Sequence, residues 1–474
     1  MAFKLGSIFR NNNFLSLTNN SLIAVFGFLS FLLLVRQLSQ DVFGEWVIFI
    51  TMGGFVDMLR FGITRTAIIR FLSGADETQA KQLIGSNNFI NLVTTCILSI
   101  IILLVYLPFK DTIDDSGFGL FFKWYPLLSF FSLTFNNAQS IQQAVMRFDI
   151  MLWLRLVNVG SFMIFLAVNM HFRFGIEIIL WVYMITNLAS SIIASLFNWD
   201  GIRYTFMAKR ETHKLILNFG KYTTGTLIGS NLLRSSDTFI IGLSPFLGTT
   251  GVALYSIPLK LTEIIEIPLR SYTATAFPEM SKASIENNKS LVKSIFYLNS
   301  GGLSMLLIPI MLFCFIFAEE AVVLLGGQAY IETASVFRIF CFYGLLLPLD
   351  RFLGVALDSI NKPRQNFFKV VYMATANIIG DILVVFGFSL ILMGFTISDI
   401  LSNLHDINVL GGMITPEIMI ATLEWVAIVT IIFTLIGIGV GYYFLNKELQ
   451  LEARLILKGG KEFINKIVKV LYHH

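Results

Sequence analysis

The stretch Val42–Ala75, VFGEWVIFITMGGFVDMLRFGITRTAIIRFLSGA, decides the fold class. It is predominantly apolar and longer than the roughly 20 residues that an α-helix needs to cross a bilayer. It nevertheless carries Asp57, Arg60, Arg65 and Arg70. A charge near the middle of a spanning helix costs about 2.5–3.5 kcal/mol on insertion scales, so such side chains usually face a bundle interior or a water-filled cavity. The stretch therefore predicts a membrane helix that lines a polar path.

The rest of the chain has the same character. Of its 474 residues, 55% are hydrophobic and 14% are charged, whereas soluble domains carry about 25% charged residues. No segment shows the alternating pattern of a membrane β-barrel strand. We therefore expect an all-α polytopic membrane protein with about twelve transmembrane helices, over residues 15–36, 43–68, 87–108, 119–145, 150–171, 174–198, 220–243, 249–278, 294–318, 332–357, 366–392 and 416–445.

Basic residues between these segments predict their orientation. The loops on one side and the two termini together hold 20 Lys and Arg, and the opposite loops hold only Lys110 and Arg173. Because Lys and Arg accumulate on the cytoplasmic side of membrane proteins, both termini are expected in the cytoplasm.

The chain divides at a basic loop near its midpoint. In each half a short turn with glycine, at Gly44 or Gly251, precedes a span rich in charge. Transporters built from such repeats bind their substrate near the midplane, between the halves. The expected domains are an N-terminal six-helix lobe, a cytoplasmic linker, a C-terminal six-helix lobe and a basic cytoplasmic tail, over residues 1–198, 199–219, 220–445 and 446–474 respectively.

The tail has amphipathic spacing. It is expected either to lie on the anionic inner leaflet or to be a solvated helix that only sets the topology.

Depth separates the charges of the opening stretch. At a rise of 1.5 Å per residue from Phe43, Asp57 lies about 21 Å and Arg60 about 25 Å into the bilayer. These two residues are spaced i, i+3, so they share a helix face and are expected to pair. Arg65 and Arg70 fall near the cytoplasmic mouth, where they either reach the headgroups or attract an anion.

The second half carries a comparable set of charges. Counted from Lys221, Arg234 lies about 20 Å into the bilayer, and Lys260 lies near the midplane. Basic residues inside a membrane cavity imply an anionic ligand, and the planar fork of Arg suits phosphate. The full set in the seventh and eighth predicted helices is Asn231, Arg234, Asp237, Lys260, Glu263, Glu266 and Arg270.

Two further features leave alternatives open. The polar residues within 136–143 of the fourth helix predict either a sugar-facing surface or hydrogen bonds between helices. Asp381 and Glu424 are isolated carboxylates in spans and are candidates for proton or cation sites.

Two stretches resemble a known family. LLVRQLSQDVFGEW, followed by FVDMLRFGITRTAIIRF, resembles the opening of the polysaccharide flippases, the Wzx-like branch of the multidrug/oligosaccharidyl-lipid/polysaccharide exporter superfamily. SSDTFIIGLSPFLGTTGVALYSIPLKL is similar to that family's pattern in the second half. The matching positions are Arg36, Leu38, Phe43, Gly44, Trp46, Gly62, Ala67 and Arg70 in the first half and Asp237, Ile241, Gly242, Gly251 and Tyr255 in the second.

The resemblance implies a function and a location. It implies a flippase that moves an undecaprenyl-diphosphate-linked oligosaccharide, such as a lipopolysaccharide O-antigen or exopolysaccharide unit, to the outer leaflet of the bacterial inner membrane by alternating access. It implies two six-helix bundles forming a V-shaped cationic cavity, a transporter rather than an enzyme, and no metal centre or cofactor beyond a coupling Na⁺ or H⁺. The expected partners are the lipid-linked oligosaccharide, membrane lipids and other membrane proteins of glycan assembly, and no nucleic acid.

The candidate residues then take three roles. Cavity residues that bind the substrate are expected to be Arg65, Asn231, Arg234, Lys260 and Arg270. Carboxylates that balance these charges or couple an ion are expected to be Asp57, Asp237 and Glu263. A gate or mouth is expected at Arg36, Arg60 and Arg70.

Three other functions are compatible with a polytopic membrane protein of this composition. A multidrug/cation antiporter of the same superfamily would take cationic substrates, which a cavity rich in Arg and Lys disfavours. A lipid II-type flippase resembles a branch that generally has fourteen helices. A membrane polysaccharide polymerase would place catalytic groups on large outside loops, and the predicted outside loops are short.

Overall fold

The computed structural model of the chain describes residues 12–72, 75–392 and 415–472. Every regular element in these ranges is helical, so the predicted all-α class is confirmed. The chain divides into two compact units, Met1–Asn231 and Leu232–His474, which we call the N-terminal and C-terminal units.

The N-terminal unit holds nine complete helices within its described residues and the first part of a tenth. A π-helical turn, Leu156–Gly160, joins two of them, and a 3₁₀ turn, Ile202–Met207, precedes the tenth. The helices are α1 (Asn12–Gln37), α2 (Gln40–Leu72), α3 (Glu77–Tyr106), α4 (Lys110–Asp115), α5 (Gly119–Phe131), α6 (Leu133–Ala144), α7 (Phe148–Arg155), α8 (Ser161–Phe172), α9 (Ile176–Leu196) and α10 (Arg210–Gly242).

The C-terminal unit begins within α10. A 3₁₀ turn, Gln328–Thr333, and a second π-helical turn, Leu383–Phe388, lie between its helices. These are α11 (Gly248–Ile285), α12 (Lys289–Ile316), α13 (Ala318–Gly326), α14 (Ala334–Ser359), α15 (Pro363–Ile382), α16 (Ser389–Leu392), α17 (Pro416–Leu449) and α18 (Ala453–Tyr472).

Eight of the described helices are long and apolar enough to cross a membrane, which makes the chain a multi-pass membrane protein. The predicted number of twelve spans is not confirmed by this criterion. The predicted seventh and eighth spans correspond to α10 and α11. Both helices are long enough to cross a membrane, but their polar residues make them less apolar than the criterion requires. The eight are Gln40–Leu72, Glu77–Tyr106, Phe148–Phe172, Ile176–Leu196, Lys289–Ile316, Gln328–Ser359, Pro363–Ile391 and Pro416–Leu449.

The predicted fourth span, 119–145, is divided into α5 and α6. The hydroxyl of Ser191 on α9 donates to the carbonyl oxygen of Phe131 (2.5 Å) and accepts from the backbone N–H of Phe135 (3.1 Å). These bonds satisfy backbone groups that a helix break inside an apolar protein would otherwise leave unpaired.

The start of the predicted linker packs against the N-terminal unit. The carbonyl oxygen of Asp200 accepts from the amide of Asn88 (2.9 Å), and that of Trp199 accepts from the amide of Gln142 (2.8 Å). A Cβ atom on Gly85 would overlap the carbonyl oxygen of Tyr204, so the turn can approach α3 only because a glycine stands there.

A partly buried ion pair joins three helices of the N-terminal unit. The Arg60 side chain is 1% exposed and its Nη1 donates to Asp57 Oδ1 (2.6 Å), so the predicted pair is present. Arg60 also donates to the hydroxyl of Thr95 on α3 (3.0 Å) and to the carbonyl oxygen of Ser129 on α5. The hydroxyl of Tyr125 donates to the same Asp57 oxygen (2.6 Å).

Replacing Arg60 by Met is expected to destabilise the protein by about 2–3 kcal/mol. This is below the roughly 3–5 kcal/mol of a fully buried pair, because the Asp57 side chain is 39% exposed and keeps contact with water. Equilibrium unfolding in mixed lipid–detergent micelles measures the change. Replacing the exposed Arg203 by Met is the control and should change stability by less than about 0.5 kcal/mol. Equal stability of both variants would contradict this assignment.

Candidate functional site

The N-terminal unit contains a cavity of about 600 Å³, whose largely apolar wall carries several charged and amide side chains. Its charged lining residues are Asp57, Arg65 and Arg155, contributed by α2 and α7. The complete lining is Gly54, Asp57, Met58, Phe61, Gly62, Arg65, Thr66, Phe135, Asn136, Gln139, Ser140, Arg155, Asn158 and Val159.

The two arginines give the cavity its positive character. Arg155 donates from Nε to Gln139 Oε1 (2.8 Å), and Arg65 donates from Nη2 to Gln143 Oε1 (3.3 Å). Each of these bonds takes one of the five N–H donors of a guanidinium group. Both guanidinium groups line this one cavity, so their like charges repel each other. An anion between them would relieve that repulsion and accept the remaining donors.

The π-helical turn after Arg155 brings an amide into the same wall. Asn158 lies in this turn, is 7% exposed and lines the cavity. Its Nδ2 has no acceptor among the described residues. An extra residue in one helical turn changes which side chains face a given side, and such turns are frequent at functional sites. Asn158 therefore presents a buried donor to whatever occupies the cavity.

The negative charge of Asp57 in the lining is balanced by an arginine in the core. Asp57 forms its ion pair with Arg60, which is buried in the core and absent from the lining. With Asp57 paired in this way, Arg65 and Arg155 leave the wall with an excess of positive charge.

The polar run of the fourth predicted helix forms the predicted hydrogen bonds between helices, and part of it also lines the cavity. Asn137 accepts from Asn91 on α3 (2.6 Å), and Gln142 donates to the carbonyl oxygen of Trp199, so these two residues join structural elements. Asn136 and Gln139 line the cavity.

The predicted gate residues lie in different settings. Arg60 is enclosed in the core, which does not suit a gate, because opening one would break the hydrogen bonds that join three helices. Arg70 is exposed, with its guanidinium carbon 4.8 Å from the ring centre of Phe219. Arg36 is exposed in the last turn of α1.

Two predicted basic residues of the C-terminal unit, Lys260 and Arg270, are paired with carboxylates on the same helix. Lys260 lies 2.8 Å from Glu263, and Arg270 lies 2.8 Å from Glu266. Arg351 on α14 also contacts Glu266, at 3.4 Å. These pairs make α11 less positive than its Lys and Arg alone would suggest.

The remaining two predicted cavity residues lie on α10. Asn231 is half-buried, and Arg234 belongs to the helix but its side chain lies outside the described part of the structure.

A buried carboxylate cluster occupies the C-terminal unit. Asp237 on α10 accepts from the hydroxyl of Tyr255 (2.7 Å) and from the amide of Asn377 (2.7 Å). Asp381, one helical turn after Asn377 on α15, is fully buried beside Asp237. Neither carboxylate oxygen of Asp381 has a hydrogen-bond donor among the described residues. A proton or a small cation would satisfy both carboxylates.

Several of these residues were not singled out from the sequence. Arg155 lies within the predicted fifth span, and the rule that selected Asp57, a charge inside a spanning helix, applies equally to it. Asn158 and Asn377 carried no comparable signal, because neutral amides are common between membrane helices. The sequence predicts Asp381 as an isolated candidate for a proton or cation site, but its proximity to Asp237 depends on the packing of α10 against α15.

Comparison with known proteins places the chain in a family. The family described as polysaccharide biosynthesis protein matches residues 33–335. A curated relative, the probable low-salt glycan biosynthesis flippase Agl15 of Haloferax volcanii, is 20% identical over 234 residues, which are 47% of this chain and 49% of the relative. The chain thus aligns with about half the length of that protein.

Solved transporter structures share the fold. An inward-facing multidrug resistance transporter of the MATE family, from the MOP superfamily, is 14% identical with a TM-score of 0.69, covering 91% of this chain and 96% of its own. The lipid II flippase MurJ, in an inward closed conformation, is 11% identical with a TM-score of 0.65. The match covers 96% of this chain and 92% of the MurJ chain. At this identity the likeness shows the fold alone. Since the family match spans well over half of the chain, the protein is a member of the polysaccharide biosynthesis protein family, with the fold of the MOP-superfamily transporters.

Proposed function

We propose that this protein is a flippase for a lipid-linked oligosaccharide, carried on undecaprenyl diphosphate. It would move this substrate from the cytoplasmic to the outer leaflet of a bacterial inner membrane by alternating access, with both termini in the cytoplasm. The observation that carries the proposal is the cavity of the N-terminal unit, in which two arginines stand beside neutral amide side chains. Membership of a polysaccharide biosynthesis family and the glycan flippase relative support it.

The cavity suits both chemical parts of such a headgroup. Arg65 and Arg155 repel each other and would be stabilised by a diphosphate, whose oxygens accept the paired N–H donors of guanidinium groups. Asn136, Gln139 and Asn158 offer amide donors and acceptors of the kind that bind sugar hydroxyls. The prenyl chain is apolar and needs no protein polar group, so it would remain in lipid.

The other predicted binding residues keep a role in the proposal. Lys260 and Arg270 would exchange their carboxylate partners for the diphosphate as it passes the C-terminal unit. Asn231 and Arg234 lie on α10, the helix that carries the chain from one unit to the other.

Ion coupling is the second part of the proposal. Asp237 and Asp381 form a buried pair in which like charges repel, so binding of H⁺ or Na⁺ at this pair would be strongly favoured. Asn377 and Tyr255 add an amide and a hydroxyl that hold Asp237 in place. Exchange of this ion across the membrane would drive the conformational cycle.

Of the two alternative transporters, only the multidrug/cation antiporter fits the cavity chemistry less well. A cation-exporting multidrug transporter would have to place its substrate beside Arg65 and Arg155. A lipid II-type flippase would take a substrate that is also a prenyl diphosphate, and the cavity chemistry is compatible with it. The glycan that stimulates transport distinguishes the two flippase functions.

Replacing both Arg65 and Arg155 by Gln is expected to slow translocation at least tenfold, because two charge-assisted contacts to the diphosphate are lost. The assay follows a fluorescent undecaprenyl-diphosphate oligosaccharide across proteoliposome membranes that contain the purified protein. The matched control replaces the exposed residues Lys110 and Arg173 by Gln, with the same change in charge. No translocation by the wild-type protein would refute the flippase function; full activity of the double variant would refute the role of these arginines alone.

Replacing Asp381 by Asn is expected to abolish the stimulation of transport by an imposed pH or Na⁺ gradient. The buried pair would then hold one carboxylate and could no longer bind and release the coupling ion. Comparing transport with and without each gradient identifies the ion. The control, Glu332→Gln, removes an exposed carboxylate from the C-terminal unit and should keep the response. A gradient response that survives in Asp381→Asn would rule out this site.

A further inference from the structure

The C-terminal helix α18 is joined to α12 through two pairs of glycines. A Cβ atom on Gly459 would overlap the carbonyl oxygen of Tyr297, and one on Gly301 would overlap that of Ile456. Gly302 lies directly under the ring of Phe463. Small residues at a helix interface let the two backbones approach closely. We call this contact the glycine seam.

Additional contacts fix the start and the middle of α18. The hydroxyl of Tyr297 on α12 accepts from the backbone N–H of Glu452, just before α18, at 2.7 Å. The ring of Phe463 meets that of Tyr272 on α11 edge-on, with 5.7 Å between centres. The helix is therefore a fixed part of the C-terminal unit.

The side of α18 that faces away from the seam is basic. At about 100° per residue, Arg454, Lys458 and Lys461 fall within a sector of about 60° opposite Gly459 and Phe463. All three are exposed. Among the described side chains of α18, no carboxylate lies in this sector, because Glu462 is on a flank of the helix. The sector is a row of cations at successive turns.

One flank between the seam and the basic row is apolar. It carries Leu457, which is 64% exposed, and the half-buried Ile464. An amphipathic helix in a membrane interface buries its apolar side at the acyl boundary and keeps Lys and Arg among the headgroups. The position of α18 in the chain agrees with this arrangement, since only three residues separate it from the end of the spanning helix α17.

We propose that the basic row Arg454, Lys458 and Lys461 is a binding site for anionic phospholipid headgroups. Charge complementarity identifies the occupant: flexible Lys and Arg stems follow headgroups whose positions vary, and Leu457 reaches the adjoining acyl chains. A protein partner would require an apolar anchor residue on the basic side of the helix. The one further described residue on that side is Asn465, which is polar. The glycine seam holds the row at a constant place on the C-terminal unit.

Lipid retention by the purified full-length protein tests the proposal. The probe is phosphatidylglycerol, added to the protein in a non-ionic detergent and detected by native mass spectrometry, with phosphatidylcholine for comparison. Each cation removed near an anionic surface should weaken binding about fivefold. The variant R454Q/K458Q/K461Q is therefore expected to retain phosphatidylglycerol at least tenfold more weakly than the wild type. These residues are exposed and away from the seam, so the variant should fold normally.

The control variant R203Q/K209Q/R210Q removes three exposed cations from the N-terminal unit. Retention close to wild type in this variant supports a specific site. Equal weakening in both variants, or no preference of the wild type for phosphatidylglycerol, overturns the proposal. A photo-crosslinking residue in place of Leu457 gives an independent measurement in native membranes. Adducts with the mass of a phospholipid support the proposal, and adducts with protein alone overturn it.

Discussion

The cost of placing a charge in an apolar interior governs this structure. Arg60 offsets that cost by donating hydrogen bonds to Asp57, Thr95 and the Ser129 carbonyl oxygen. These bonds join three helices. Asp237 offsets the same cost by accepting hydrogen bonds from Tyr255 and Asn377. Arg65 and Arg155 instead border a cavity. Each donates one hydrogen bond to a glutamine side chain, which uses only part of its N–H donors. The difference between charges that are fully paired and charges that face open space separates structural residues from candidate binding residues.

Departures from regular helix decide which side chains reach that space. The break at Ser132 separates α5 from α6 and is stabilised by Ser191. The π-helical turn after Arg155 places Asn158 in the cavity wall, and the turn at Leu383–Phe388 follows Asp381 closely. In both units a functional candidate thus lies at or beside an irregular turn, where the backbone can be accommodated only because neighbouring helices enclose it.

Composition and periodicity were sufficient to predict an all-helical membrane protein, because apolar segments of spanning length have few other solutions in lipid. Spacing also predicted the Asp57–Arg60 pair. It could not predict that Asn137 joins helices whereas Gln139 faces a cavity, because both are amides on the same helix. It also treated Asp381 as isolated, since 144 residues separate it from Asp237 and only packing brings them together. The number of spans depends on polar helices such as α11, for which apolarity alone is an inadequate measure.

The central claim is that the cavity recognises a diphosphate that bears a glycan. Competition for binding tests it most directly: the purified protein is offered an undecaprenyl-diphosphate oligosaccharide together with an excess of undecaprenol, and the bound lipids are identified by mass spectrometry. The account predicts that the diphosphate lipid is retained and that undecaprenol does not displace it. Equal retention of the two lipids would contradict the account, because recognition would then depend on the prenyl chain rather than on the cavity.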